Sequence, residues 1–195
     1  MDQQLLQNLR IATRPAHDRL EDIVDGARLM NPPFDPAHYA CLLRAHLEFN
    51  RLVNRQFSSD RHFEMTVPAW PDKERIKALQ EDLQSLGAYA PEAGPVNVSA
   101  VPENAAYVVG LCYVAEGAAM GNQMIHKALQ QFPEYKALNA ERYMQTSKAG
   151  LSARWKNFQT ALGAYLTLDE ASVIAGAKAG FQHFESIWST LQERT

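Results

Sequence analysis

The sequence predicts an all-α protein, and three observations carry that reading. Apolar residues recur at steps of three and four, as in Leu5, Leu9, Ala12, Ala16, Leu20 and Ile23. Helix-start chemistry recurs as well, in Asp35-Pro36, Pro71-Asp72 and Leu168-Asp169-Glu170. No stretch alternates apolar and polar residues for more than a few positions, and there is no repeat or low-complexity linker. The 195 residues are expected to form one domain, residues 1–195, large enough to bury a sizeable core.

The first helix is expected to run from a cap at Asp2 to about Asp25, with Gly26 as its stop. Asn31-Pro32-Pro33 reads as a turn, and Asp35 as the cap of a helix from Ala37 to Phe57. An irregular stretch from Phe63 to Pro71 leads into a helix that ends near Gly87. Tyr89 to Val101, with Pro91, Gly94 and Pro95, reads as a loop. Ser99 is the expected cap of the next helix, with Pro102 at its first position and Glu103 in its first turn. Further helices are expected over Pro133–Ala140, Lys148–Ala164 and Asp169–Gln192.

Composition narrows the function classes. A net charge of −3 argues against binding nucleic acid through bulk charge. The longest apolar stretch, Ala105 to Ala115, is too short to span a bilayer and is closed by Glu116. Cys41 and Cys112 sit in apolar contexts with no signal-like segment before them, so reduced core thiols in a cytoplasmic protein are expected.

The helix around residue 115 carries Gly110, Gly117 and Gly121 on one stripe, with Ala106 at its start. Each glycine costs about 1 kcal/mol relative to alanine in a helix interior. Such a stripe allows close backbone approach, either to another helix or to a flat ligand.

The first helix carries a second constellation. Its apolar residues lie within roughly 60° of Leu9 on a helical wheel, and His17 falls at the border of that face, near 80°. Arg10, Arg14 and Glu21 lie on the same flank, and Glu21 is one turn beyond His17, within reach of its second ring nitrogen. A border histidine with a carboxylate partner suits metal ligation, and arginines beside it suit a ligand's carboxylates. His38, His46, His62, His126 and His183 form no HxxxH or HxxH pattern, which leaves no local zinc set. The Glu-x-x-His pair of a di-iron bundle is absent too. A metal that brings four equatorial ligands of its own needs only one protein histidine, and that points to haem.

The stretch from Leu9 to Glu21, LRIATRPAHDRLE, resembles the proximal helix of haem oxygenases. Tyr113 to Gly121, YVAEGAAMG, is similar to the distal-helix pattern of their bacterial members. Arg154-Trp155-Lys156-x-Phe158 and Phe181-x-x-Phe184-Glu185-x-x-Trp188 look like bacterial members as well, among them bacteriophytochrome-associated and iron-acquisition enzymes. Order and separation agree along essentially the whole chain.

The resemblance implies a haem oxygenase-like fold with haem between the two helices, His17 as axial iron ligand and Glu21 as its partner. It places Arg10, Arg14 and Lys156 at the propionate edge. Gly117 and Gly121 would lie against the reacting face, with Tyr113 and Ala118 beside them. Haem would be cofactor and substrate, opened to biliverdin, carbon monoxide and iron with O2 and electrons from a ferredoxin or flavoprotein reductase. A bilin-binding photoreceptor is a further implied partner. The alternative is a haem-binding or haem-sensing protein of the same fold.

Two positions depart from the family pattern: Ala118 stands where many bacterial members have Ser, and Asn122 where Gly often follows Gly121. Ala118 cannot order distal water through its side chain, so that task must fall elsewhere or activity must drop.

Overall fold

The computed structural model describes residues 3–57, 66–89, 99–146 and 150–193. Among them there is no strand; the elements are α1 (Gln3–Val24), α2 (Gly26–Met30), α3 (Pro36–Arg55), α4 (Lys73–Ser85), α5 (Ala105–Leu129), α6 (Pro133–Ala137), α7 (Arg142–Thr146) and α8 (Leu151–Glu193).

Most helix starts obey the capping chemistry in the sequence. Asp35 accepts from the Ala37 and His38 amides, and Asp72 from the Arg75 amide. Gly87 closes the α4 end at φ +63°, a left-handed conformation that needs no Cβ. α8 contains a non-helical break at Asp169, whose side chain caps the second half by accepting from the Ser172 amide at 3.1 Å. The two helices expected there are thus present, meeting at a kink at Asp169.

Several expectations are corrected. Gly26 does not simply end a helix: Asp25 turns left-handed (φ 50°) and caps α2, which begins at Gly26. The cap of α5 is Asn104, accepting from the Tyr107 amide; Ser99, Pro102 and Glu103 precede the helix. α6 is shorter than expected. α7 has no legible start because its cap is remote: buried Asp82 on α4 accepts from the Arg142 and Tyr143 amides at 3.0 and 2.8 Å. The apolar face of α1 is narrower than the wheel suggests, since Ile23 is exposed and Thr13 is buried instead. The proposed cap at Asp2, the helix start at Lys148, and much of the two expected loops lie outside the described residues.

α8 is the platform of the molecule: α5 packs along it most extensively, and α1 and α3 also lie against it. The buried residues form one core, with Leu9, Tyr39, Phe49, Leu111 and Phe158 wholly enclosed. Where α5 crosses α8 the backbones touch. A Cβ on Gly110 would strike the Val173 carbonyl oxygen and lie 2.6 Å from the Ala177 nitrogen; one on Gly176 would strike the Tyr107 carbonyl oxygen. Gly110 therefore belongs to helix packing.

Candidate functional site

The stripe on α5 divides after Gly110. At Gly117 and Gly121 an added Cβ would meet nothing within 4 Å. A missing side chain opposite open space cannot be explained by close packing, so these two glycines expose bare backbone to open space. Gly121 is solvent-exposed, and Met120 and Met124 beside it are exposed large apolar residues.

The other side of this region is α1. One turn of α8 faces both helices: Gly180 admits Val114 of α5, whose Cγ2 would lie 2.8 Å from a Cβ there, while Phe181 meets the His17 ring edge-on at 5.9 Å. α1 and α5 approach each other at Tyr113. Burial pushes its phenol up, whereas Thr13, within hydrogen-bonding reach, and the nearby Arg10 charge pull it down; burial wins. The Tyr113 ring also packs on Trp155, centroids 6.2 Å apart, and so brings Lys156's segment of α8 to the same end.

His17 is half-exposed on α1, its Nδ1 at 3.5 Å from Asp18 Oδ1 and 3.6 Å from Glu21 Oε2. Arg14 does not extend freely toward a ligand. It is paired with Asp18 one turn on, at 2.7 Å, and holds that carboxyl below the ordinary range. Lys156 is exposed, and Ala118 is partly buried. Pro15, within α1, has no N–H for the Ile11 carbonyl; Ile11 is exposed, so water can take the bond.

Asn122 proves to have nothing to do with the open face. It is buried on the opposite side of α5 and donates to the Tyr143 hydroxyl at 3.0 Å.

One cluster was not anticipated from the sequence. Glu116, 1% exposed, accepts from Trp70 Nε1 at 3.0 Å, from Arg154 Nε at 2.7 Å and from Arg75 Nη2 at 3.3 Å. Asp72 joins both arginines, at 2.9 Å to Arg154 and 3.3 Å to Arg75. Two carboxylates and two guanidiniums thus neutralise one another inside the protein and tie α4, α5 and α8 together beside Gly117. The signal that could have found it is the lone acid in an apolar helix, which has to meet a buried cation.

The fold and site define an all-α protein with a border imidazole on α1, surface cations and bare helix backbone on α5. The family model for heme oxygenase matches residues 3–190. A curated "Heme oxygenase" of Xanthomonas campestris pv. campestris (strain 8004) is 32% identical over 154 residues, covering 78% of this chain and 89% of that protein. This chain belongs to the haem oxygenase family, whose members take haem as both cofactor and substrate. No helix among the described residues is long and apolar enough to cross a membrane.

Proposed function

We propose that the protein opens haem to biliverdin, releasing carbon monoxide and iron, with O2 and electrons drawn from an external ferredoxin or flavoprotein reductase. The observation that carries this reading is the bare backbone at Gly117 and Gly121, open where an added Cβ would meet nothing. A flat tetrapyrrole needs one axial donor, cations for its two carboxylates and a thin wall on its other face. The residues present fit that group: His17 for the metal, Arg10, Arg14 and Lys156 for the carboxylates, and the two glycines for the wall.

When bound, haem supplies both the oxygen-activating iron and the ring that is opened. The chain's part is placement. A neutral His17 gives one ring nitrogen to the metal and leaves Nδ1 to the nearby carboxylates. Rim cations orient the ligand and so select which edge is attacked. Gly117 and Gly121 keep side chains out of the space where the ligand's reacting face would lie, leaving helix backbone as the wall there. Ala118 offers no hydroxyl or carboxyl, so protons must pass through ordered water held by neighbouring groups. The buried, unpaired thiols Cys41 and Cys112 are in keeping with action in the cytoplasm.

Ala118 is also the one residue that favours the second reading, a protein that holds or senses haem without opening it. Purified protein with haemin, ascorbate and air separates the two. Ring opening turns the red-brown Soret-absorbing complex green and evolves carbon monoxide; a Soret band that persists under these conditions overturns it.

A further inference from the structure

We infer that Glu116 and Arg154 are positioning residues that set how the ligand is turned in its own plane, by fixing Lys156 on α8 against the bare wall at Gly117 on α5. The inference rests on the function proposed above, in which Lys156 meets a ligand carboxylate and Gly117 lies on the reacting face.

Arg154 lies in the first turn of α8, where a helix has few backbone bonds of its own and side chains must hold its end in place. Its guanidinium meets Glu116 as a fork on a fork: Nε donates to Oε2 at 2.7 Å and Nη2 to Oε1. A two-pronged pair fixes angle as well as distance. Nη2 also lies 2.9 Å from Asp72 Oδ2, so the guanidinium is gripped from two sides. The Glu116 carboxylate is not free to follow it. Buried on α5, it is held by Trp70 Nε1 at 3.0 Å and Arg75 Nη2 at 3.3 Å.

The neighbouring residues carry this alignment outward. Trp155 packs on Tyr113, one turn before Gly117, at 6.2 Å, and on the enclosed Phe158 at 5.8 Å. Lys156 follows, exposed, so its place relative to α5 is set by the two residues before it. On the other helix, Glu116 directly precedes Gly117. The pair therefore joins the two surfaces that a flat ligand with carboxylates on one edge would meet, a cation on α8 and a wall on α5. Sliding one against the other turns such a ligand and changes the edge it presents.

The test uses the full-length protein with haemin and cyanide, reading the haem methyl resonances of the low-spin ferric complex by proton NMR. The biliverdin isomer ratio in turnover with ascorbate is the second readout. Arg154→Lys keeps the charge and removes the fork; it is expected to bring up a new set of methyl resonances and a matching second isomer. Trp70→Phe weakens the same buried cluster but leaves the fork in place. It should lower the melting temperature of the haem-free protein and keep the parent's resonances. Lys156→Ala should itself change the pattern, and Arg154→Lys added to it should change nothing further. The parent's resonances in Arg154→Lys, an equal change in Trp70→Phe, or an Arg154 effect that persists without Lys156 overturns the inference. Arg154→Gln replaces Arg154→Lys if the latter does not fold. Failure of the proposed function reads differently: the parent then forms no haem complex, or keeps its Soret band under ascorbate and air. A parent that opens haem beside an Arg154→Lys variant with unmoved resonances removes this inference alone.

Discussion

Gly110 on α5 and Gly176 on α8 mark the place where two helix backbones meet: a Cβ on Gly110 would strike the Val173 carbonyl oxygen, and one on Gly176 the Tyr107 carbonyl oxygen. Gly117 and Gly121, on the same stripe as Gly110, face no such neighbour. One sequence pattern therefore serves two physical ends. Alanine at Gly110 or Gly176 should overpack the crossing and cost about 1–3 kcal/mol. Gly121→Leu should leave the haem-free protein as stable as the parent or up to about 1 kcal/mol more so, while filling the open space over that backbone and suppressing biliverdin formation. Thermal melts of the haem-free variants decide it. A large loss of melting temperature in Gly121→Leu, with turnover near normal in the folded fraction, would falsify the assignment of Gly121 to the ligand's face.

His17 meets the rest of the protein chiefly through the edge of Phe181 and is half-exposed. His17→Ala should therefore fold with unchanged helical content, lose the parent's ferric haem spectrum and abolish turnover, and added imidazole should restore part of it. A variant with the parent's spectrum and rate removes His17 from the metal.

Glu116 is buried where Trp70, Arg75, Asp72 and Arg154 converge. Replacing it by Ala leaves Arg75, Arg154 and Trp70 without their shared acceptor, and a loss of about 3–5 kcal/mol is expected. Arg154→Met should cost a comparable amount, and the two changes together less than their sum, since they dismantle one network. Urea denaturation gives all three values. Additive losses mean the groups act independently.

His46 is enclosed by Tyr143 and Phe184, and burial, reinforced by the Arg75 charge, pushes its imidazole down to about 3 against the opposing hydrogen bond to Asn122. In the unfolded chain the ring titrates near 6.5. Between those values the unfolded state binds a proton that the native state refuses. The His46 contribution is thus whole above about pH 6.5 and drains away as the pH falls toward 3. Denaturant midpoints followed downward from neutral pH should fall less steeply in His46→Gln, which keeps a polar side chain but does not titrate. Equal slopes in the two proteins remove His46 from the acid response.

Legibility followed locality. Asp35, Asp72 and Asp169 announce their helices because cap and capped amide are two or three residues apart. α7 and the true start of α5 stayed hidden for opposite reasons. Asp82 reaches α7 across 60 positions, and Asn104 was outcompeted on paper by a Pro-Glu pair that mimics a first turn. His17 and the two open glycines stood out because they break local rules, one by placing an imidazole at an apolar border and the others by weakening a helix. The Glu116 quartet did not, since its members are ordinary in sequence and meaningful only when three helices assemble.

The Glu116 quartet ends one residue before the first open glycine, so the clamped and the bare parts of α5 abut. Upstream, the rod is riveted to α4 and α8 by buried charge and to α8 by the Gly110 crossing. Downstream, Gly117 and Gly121 thin its outer side, which carries exposed Met120 and Met124, while Ala119, Asn122, His126 and Leu129 stay buried on its inner side. Changes confined to that outer side leave every buried charge pair in place, so its surface can vary without loosening the root of the helix.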